Sequence, residues 1–252
     1  MMTKTRSQKK SRRRTVLRVL LGVLLALVLG AAVYVGDYYR ADDTVVACLA
    51  QEIPGVKVDT QTSRIVFAPE EPRAGLIFYP GGKVEYTAYA PLMEKLAAEG
   101  ILCVLVKMPL NLAVLNGNAA EGIRESFPDV PVWAIGGHSL GGVMAARYAA
   151  EHPQDVDALV LLASYATSDL TQSGIRVLSI YGTEDGVLQW DKYEKYRGNL
   201  PADLSERPIE GGCHAWFRSY GPQRGDGTPT ISAEEQQAIT AAMMAEFLIP
   251  QS

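Results

Sequence analysis

The chain has 252 residues, of which 48% are hydrophobic and 21% charged, a composition that fits one globular domain with a short appendage and excludes a fibrous or disordered protein. Eight of the 24 basic residues precede Val19, whereas all 28 acidic residues follow it, so the chain beyond this basic head is strongly acidic. An acidic chain without a later cluster of basic residues excludes nucleic acid as the expected partner, because phosphate binding needs a basic face.

The first element is an apolar segment at residues 19–36, which follows a basic segment at residues 1–18. Its apolar run from Val19 to Val35 has 17 residues without a charge, which is at the short end of the length that crosses a bilayer. We therefore predict a transmembrane signal anchor. Because positive charges stay in the cytoplasm and Asp37 begins an acidic flank, the following domain is expected outside the cell membrane. A signal peptide cleaved near residues 30–32, which would give a secreted protein, is the alternative.

Residues 37–63 are polar and mixed, without a clear period, and we interpret them as a juxtamembrane connector with one short helix around Val45–Ile53. The three cysteines, Cys48, Cys103 and Cys213, have the spacing of neither a metal site nor a disulfide framework. Pairing of Cys48 with Cys213 outside the cell is left open. This part of the chain therefore carries no predicted chemistry.

From Arg64 onward, short apolar runs alternate with helical patterns. Continuous apolar runs of strand length are typical of a parallel sheet that is buried on both faces. Among the helical patterns, one ends at Gly100 and another begins with a capping box at Ser232 and Glu235. We predict an α/β fold over residues 64–252, with a doubly wound and mostly parallel sheet. The predicted strands are Ile65–Phe67, Leu76–Tyr79, Ile101–Val106, Val132–Ile135, Ala158–Ala163, Val177–Tyr181 and Arg207–Ile209.

The motif Gly137-His138-Ser139-Leu140-Gly141 follows a predicted strand and precedes an alanine-rich helical pattern. This is G-x-S-x-G in the strand-to-helix context that a nucleophile requires. Such a turn raises the serine hydroxyl above the sheet and directs the N-terminus of the next helix at it, where negative charge is favoured. The glycines two residues away avoid collision in the strained turn. The sequence therefore predicts Ser139 as a nucleophile, against the alternative of an incidental glycine-rich turn.

The motif and its setting resemble the α/β-hydrolase superfamily, and more closely the small bacterial alpha/beta-hydrolase fold-5 family, which is related to the dienelactone hydrolases. The resemblance covers roughly residues 64–249. In this family the chain order is nucleophile, acid and histidine, which implies Asp185, after a predicted strand, and His214. His214 would take the proton of Ser139, while Asp185 would fix the tautomer of the imidazole and stabilise the imidazolium. Glu184 is the alternative acid.

Two backbone amides are expected to form an oxyanion hole. One is the amide of Leu140, directly after the nucleophile. The resemblance implies the other within Tyr79-Pro80-Gly81-Gly82-Lys83, where family members commonly carry His-Gly-x and this chain has Pro in place of His. That departure leaves the amides in place. We assign the second role to Gly82, with Lys83 as the alternative.

The predicted function is a serine hydrolase of the carboxylesterase or lipase-like kind, which cleaves a carboxylic ester or related acyl bond through an acyl-enzyme. Only about a dozen residues separate the strand that ends at Ala163 from the strand that begins at Val177, so little or no lid is expected. The expected partner is a small-molecule or lipid-like acyl substrate, with no cofactor and no metal ion. The candidates for substrate contact are Lys83, Lys107, Trp216 and Phe217.

Two other functions stay open. A catalytically silent surface module that binds a partner need not keep all three of Ser139, Asp185 and His214, whereas this chain has them. An acyltransferase would use the same triad. It differs from a hydrolase only in whether water or another acceptor takes the acyl group.

Three further polar groups are left outside the predicted site. His138 lies within the turn and is expected to point away from the nucleophile, and His152 ends the following helix, so both are interpreted as structural. Arg224-Gly225-Asp226 spells an adhesion tripeptide. Such triplets arise by chance, and we attach no prediction to this one.

Overall fold

The computed structural model of the chain describes residues 4–50 and 53–249, except for the side chains of residues 4–12, 44, 46, 48 and 50. It contains two compact units, one up to Tyr38 and one from Tyr39 onward. The second unit therefore begins within the predicted connector.

The first unit consists of helix α1, Lys4–Gly36. Within its part from Arg13 to Gly36, an 18-residue stretch has a mean hydropathy of 2.7, and none of that stretch is buried. Within the described residues, this is the one helix long and apolar enough to cross a membrane. An N-terminal signal sequence has the same length and composition, so these properties fit both an anchor and a signal peptide.

The second unit contains an eight-stranded sheet with the order β1-β2-β4-β3-β5-β6-β7-β8. Strands β3 to β8 are parallel to one another. Strand β2 pairs antiparallel with both β4 and β1. The central strands are buried along their whole length, which confirms the predicted sheet with both faces covered. The strands are β1 Val56–Thr60, β2 Arg64–Pro69, β3 Ala74–Tyr79, β4 Ile101–Val106, β5 Trp133–His138, β6 Ala158–Leu162, β7 Arg176–Gly182 and β8 Ser205–Ile209.

Strand β1 was not predicted, because it lies within the polar stretch of residues 37–63. It pairs with β2 so that Val58 stands opposite Phe67. Half-buried Val56 and Val58 alternate with exposed Lys57 and Asp59, which is the pattern of an edge strand with one face on the core. The sheet therefore starts before the predicted boundary at residue 64.

Helices cover both faces of the sheet. On one face, Val45, Leu92 and Met244 from α2, α3 and α6 belong to a single buried cluster. On the other face, Ala145 and Tyr148 of α4 pack in a second cluster. The helix predicted around residues 45–53 corresponds to α2, and residues 51 and 52 lie outside the described part. The helices of this unit are α2 Asp43–Ala50, α3 Ala90–Ala98, α4 Leu140–Glu151, α5 Trp190–Arg197 and α6 Ala233–Leu248.

Two connections at the C-terminal edge of the sheet differ in length. Residues 163–175 join β6 to β7 without a helix, which confirms the prediction of little or no lid. The longer β4–β5 connection contains short 3₁₀ turns at Pro109–Asn111, Ala113–Leu115 and Arg124–Ser126. The last helix begins as predicted, since the hydroxyl of Ser232 accepts the N–H of Glu235 at 3.1 Å.

Candidate active site

Ser139 lies at the turn between β5 and α4. Its φ of 52° and ψ of −123° put it in a region that a non-glycine residue enters only with strain. Close packing explains the flanking glycines: a Cβ at Gly141 would lie 2.1 Å from the carbonyl oxygen of Tyr79, and one at Gly137 would lie 2.5 Å from the carbonyl carbon of Gly141. The strained turn that G-x-S-x-G predicts is therefore present, with Ser139 as the N-cap of α4.

Asp185 and His214 meet in the loops that follow β7 and β8, and both are buried. Nδ1 of His214 lies 2.8 Å from Oδ2 of Asp185. The other carboxylate oxygen accepts the backbone N–H groups of Val187 at 2.9 Å and Leu188 at 2.7 Å. These amides hold one oxygen and leave the other to the imidazole. Glu184, the alternative acid, is exposed.

Ser139 and His214 line one pocket of about 120 Å³. Among the described residues, no hydrogen bond joins the Ser139 hydroxyl to His214, and such bonds are often long in unliganded sites. The structure nevertheless brings the three predicted triad residues together, with Asp185 behind the imidazole. The other residues of the pocket wall are Leu140, Val143, Ala163, Ser164, Tyr165, Val187, Leu188 and Gln189.

Asp226 ties the two loops to each other and is not among the predicted site residues. Its Oδ1 accepts the N–H groups of Gly186 and His214, both at 3.1 Å, and its Oδ2 accepts that of Ala215 at 2.7 Å. Burial by itself raises the pKa of Asp226, but hydrogen bonds from these amides outweigh it and hold the pKa below the ordinary value. The ionised carboxylate therefore fixes the acid loop against the histidine loop.

The loop after β3 approaches the start of α4. A Cβ at Gly82 would lie 2.8 Å from Cδ2 of Leu140. The amide of Gly81 donates to a tyrosine hydroxyl, and that of Lys83 donates to the carbonyl oxygen of Asn111 at 2.8 Å. The amide of Gly82 has no partner in the part of the chain that the structure describes. Leu140 is the first residue of α4, so its N–H has no acceptor within the helix. Two amides without an acceptor among the described residues, those of Gly82 and Leu140, thus lie near Ser139, and the engaged amide of Lys83 is not one of them.

The sequence profile of the alpha/beta hydrolase family matches residues 75–238, well over half of the chain. The chain belongs to the alpha/beta hydrolase family. Its triad candidates and both oxyanion candidates lie within the matched residues. No curated protein matches the chain.

Solved structures with the same fold as this hydrolase have low sequence identity to it. TT1662 from Thermus thermophilus is 16% identical, with a TM-score of 0.56 over 78% of this chain and 99% of its own. The esterase domain of a Rhodothermus marinus protein is 13% identical, with a TM-score of 0.57 over 76% and 97%. A predicted CIB-like hydrolase from Thermoplasma acidophilum is 15% identical, with a TM-score of 0.54 over 76% and 100%. At these identities the likeness shows the fold alone.

A buried polar network lies behind the serine turn of this hydrolase. The hydroxyl of Tyr89 accepts the N–H of Gly81 and lies 2.9 Å from Nδ1 of His138. Nη1 of Arg218 lies 3.0 Å from Nε2 of His138 and donates to the carbonyl oxygen of His214 at 3.1 Å. The network therefore connects the loop of the candidate oxyanion hole, through His138, to the backbone of the candidate base.

The network contains one cation, Arg218, and one neutral imidazole, His138. Burial holds the pKa of His138 well below its ordinary value, and the positive charge of Arg218 lowers it further. Burial also lowers the pKa of Arg218, to about 10, so the guanidinium stays charged at neutral pH. A neutral His138 can accept a hydrogen bond from Arg218, whereas a protonated one would repel it.

We expect the free energy of unfolding to fall as the pH drops below about 6.5, the ordinary pKa of histidine. The unfolded chain then binds a proton at His138 that the folded protein does not bind, and this lowers stability by up to about 1.4 kcal/mol per pH unit. The variant His138→Gln should lose this contribution to the slope in urea denaturation. His152→Gln, whose ring is half-exposed, is the control and should keep it. Equal slopes for the wild type and His138→Gln would contradict the assignment.

The four side chains considered for substrate contact lie apart from the wall of the Ser139 pocket given above. Phe217 is buried against His138, with ring centroids 5.6 Å apart. Trp216 lines a separate pocket, Lys107 is exposed, and Lys83 is half-exposed. The start of α4 and the loops after β6 and β7 supply most of the pocket wall in their place.

Cysteine, like histidine, aspartate and glutamate, has a side chain that can bind a metal ion. Cys103 and Cys213 are buried free thiols, and the side chain of Cys48 lies outside the described residues. In the described ranges, no group of three or more His, Cys, Asp or Glu side chains that could hold a metal ion is present.

Proposed function

We propose that this hydrolase is a serine esterase that cleaves a carboxylic ester through an acyl-enzyme on Ser139. The observation that carries the proposal is the 2.8 Å contact between His214 and the buried carboxylate of Asp185, at a pocket that Ser139 also lines. A serine hydroxyl is a weak nucleophile until a base takes its proton, and the carboxylate gives the imidazole the tautomer whose Nε2 accepts it. The Rhodothermus marinus structure with the same fold is an esterase domain, which agrees with ester chemistry.

The proposed reaction has two half-reactions. In the first, Oγ of Ser139 attacks the ester carbonyl carbon while Nε2 of His214 takes the hydroxyl proton, and the amides of Gly82 and Leu140 stabilise the oxyanion. The ester C–O bond then breaks, and the leaving alkoxide takes the proton from His214. In the second half-reaction, water gives a proton to His214 and attacks the acyl carbon. The carboxylic acid leaves, and the proton returns to Oγ of Ser139.

The size of the pocket favours a short acyl group. Its volume of about 120 Å³ is well below the roughly 300–1,000 Å³ of clefts that bury a drug-sized ligand. The side chains of Leu140, Val143, Val187 and Leu188 make the wall largely apolar. The pocket therefore favours the small-molecule form of the predicted acyl substrate over a long-chain acyl group.

Hydrolysis of p-nitrophenyl esters of increasing chain length tests the proposal. We expect kcat/KM of the full-length protein to be highest for the acetyl to butyryl esters and to fall roughly tenfold or more for the octanoyl ester, because the added methylene groups find no room. Val143→Ala removes two methyl groups from the wall and should shift the optimum to a longer chain. A rate that rises steadily with chain length would contradict the size argument.

The same assay separates the three candidate functions. Absence of hydrolysis with every ester would favour the silent surface module. Transfer of the acyl group to an added alcohol, in preference to water, would favour the acyltransferase. Release of free carboxylic acid at the rate of p-nitrophenol release is the result that the esterase requires.

We further propose that α1 is an uncleaved anchor, with residues 1–18 in the cytoplasm, residues 19–36 in the membrane and the hydrolase domain outside. The helix from Arg13 to Gly36 is exposed and apolar, which suits lipid. The eight basic residues before Val19 and the acidic Asp37 after the helix support this orientation.

The full-length protein should stay with membranes in high salt and in carbonate, because the apolar helix holds it independently of charge. Protease added to intact cells should reach the hydrolase domain, and deletion of residues 1–36 should release it from membranes. A soluble mature protein that begins near Ala32 or Val33 would show a cleaved signal peptide. A domain that is protected in intact cells would overturn the orientation.

A further inference from the structure

Exposed apolar side chains in the hydrolase unit are concentrated in one loop. Among its described residues, the hydrolase unit has four large apolar side chains that are exposed, namely Leu110, Val114, Leu115 and Trp190. The first three lie in the β4–β5 connection, within a stretch of six residues, and are 52–56% exposed. Scattered exposed apolar residues are ordinary, whereas a cluster marks an interaction surface. We call residues 109–115 the apolar loop.

The apolar loop is held in a fixed conformation beside the active site. Leu110 and Asn111 both have left-handed backbones, with φ of 51° and 56°. Such strain persists only where the surroundings impose it. Two contacts do so here: the carbonyl oxygen of Asn111 accepts the N–H of Lys83, and the side chain of Ala113 is buried in the core.

The position of the loop in the sheet places it near the pocket. It follows β4, the loop of Gly82 follows β3, and Ser139 follows β5, and these three strands are parallel neighbours. The carboxyl ends of parallel strands meet at one edge of a sheet. The apolar loop and the candidate active site therefore share this edge.

We propose that the apolar loop docks on the surface of an anionic lipid bilayer. Residues 101–120 contain no aspartate or glutamate, and exposed Lys107 lies two residues before the loop, in a chain that has 28 acidic residues. A loop without carboxylates is not repelled by anionic headgroups, and the lysine is attracted to them. Leucine and valine side chains are then buried at the boundary between headgroups and acyl chains.

This inference rests on the membrane attachment proposed above and narrows the substrate class of the esterase. Docking brings the mouth of the pocket to the headgroup layer. Since the pocket holds a short acyl group, the substrate is an amphiphile that lies at the bilayer surface and carries a short ester there. The acyl chains of the bilayer contact the apolar loop and stay outside the pocket.

Spin labelling of the full-length protein in vesicles tests the docking. In a Cys48→Ser background, where Cys103 and Cys213 are buried, a nitroxide is attached to Val114→Cys, or to Gln154→Cys as the matched control. Gln154 is exposed and precedes β6, at the opposite edge of the sheet. The vesicles contain equal parts of phosphatidylcholine and phosphatidylglycerol, or phosphatidylcholine alone.

In the anionic vesicles, we expect the nitroxide at position 114 to lose collisions with a water-soluble nickel chelate and to gain collisions with oxygen, while the nitroxide at position 154 stays in water. Lys107→Glu, or vesicles of phosphatidylcholine alone, should weaken this shift. A nitroxide at 114 that is as accessible to nickel as the one at 154 would overturn the proposal, and so would lipid contact at both positions.

Flotation of the same vesicles in carbonate reports separately on attachment through α1, and neither readout needs hydrolysis. A failure of docking is thus distinguishable from a failure of the proposed function.

Discussion

Replacement of Ser139 by alanine should lower kcat for a short carboxylic ester by roughly 10⁶-fold, because the acyl-enzyme can no longer form. Residual hydrolysis from the oxyanion amides and from binding should remain above the rate in water. The fold should persist, since Ser139 is only partly buried and its strained backbone makes no use of the hydroxyl. The measurements are steady-state kinetics, thermal unfolding and labelling with a fluorophosphonate probe.

The wild type should be labelled by this probe at Ser139, and Ser139→Ala should not be labelled. Ser164 gives the matched control, because it is the other serine in the pocket wall and its hydroxyl donates to the carbonyl oxygen of Ser139 at 2.7 Å. Ser164→Ala should keep the label. If Ser139→Ala retained labelling, or if the adduct mapped to Ser164, the assignment of the nucleophile would be wrong.

Replacement of Asp185 by asparagine should lower kcat by about 10⁴-fold. The carboxamide oxygen can take over the bonds from Val187 and Leu188, which turns its NH₂ group toward Nδ1 of His214. Nδ1 must then act as the acceptor, so the ring proton moves to Nε2. An imidazole protonated at Nε2 cannot take the proton of Ser139.

Glu184→Gln is the matched control for this variant, because it removes the charge of the adjacent, exposed carboxylate. It should leave kcat near the wild-type value. The reverse outcome, with a large loss in Glu184→Gln and a small one in Asp185→Asn, would make Glu184 the orienting acid. Crystal structures or backbone NMR spectra of both variants would show that the loop after β7 is intact.

The strands that could be predicted are those whose complete burial gives a continuous apolar run in the sequence. β4 was predicted to the residue, as Ile101–Val106, because a strand with helices on both sides is apolar at every position. β1 was not predicted, because only Val56 and Val58 of its five residues are half-buried and the other three are exposed. Its alternation of valine with lysine and aspartate is a period-two signal, but a short one within a polar segment.

In the candidate site, too, residues within a local sequence pattern could be predicted and residues outside one could not. The triad candidates could be chosen from the sequence because each stands within five residues of the end of a strand, in an order that the family resemblance supplies. Asp226 and Arg218 could not, because their partners are remote in sequence: Asp226 accepts the amide of Gly186, forty residues away, and Arg218 contacts His138, eighty residues away. No local pattern marks a side chain whose task is to hold distant backbone groups.

The connection made by Asp226 has a consequence for the order in which the protein is synthesised. A ribosome delivers the N-terminal residues first. Seventy-five residues separate Ser139 from His214, and the carboxylate that holds the backbone amide of His214 comes twelve residues later still. A nascent chain can therefore complete the turn around Ser139 while it has no base to activate it. In the proposed mechanism, the serine therefore becomes reactive only in a late step, when β8 has joined the sheet and Asp226 has bound the backbone amides of the acid and histidine loops.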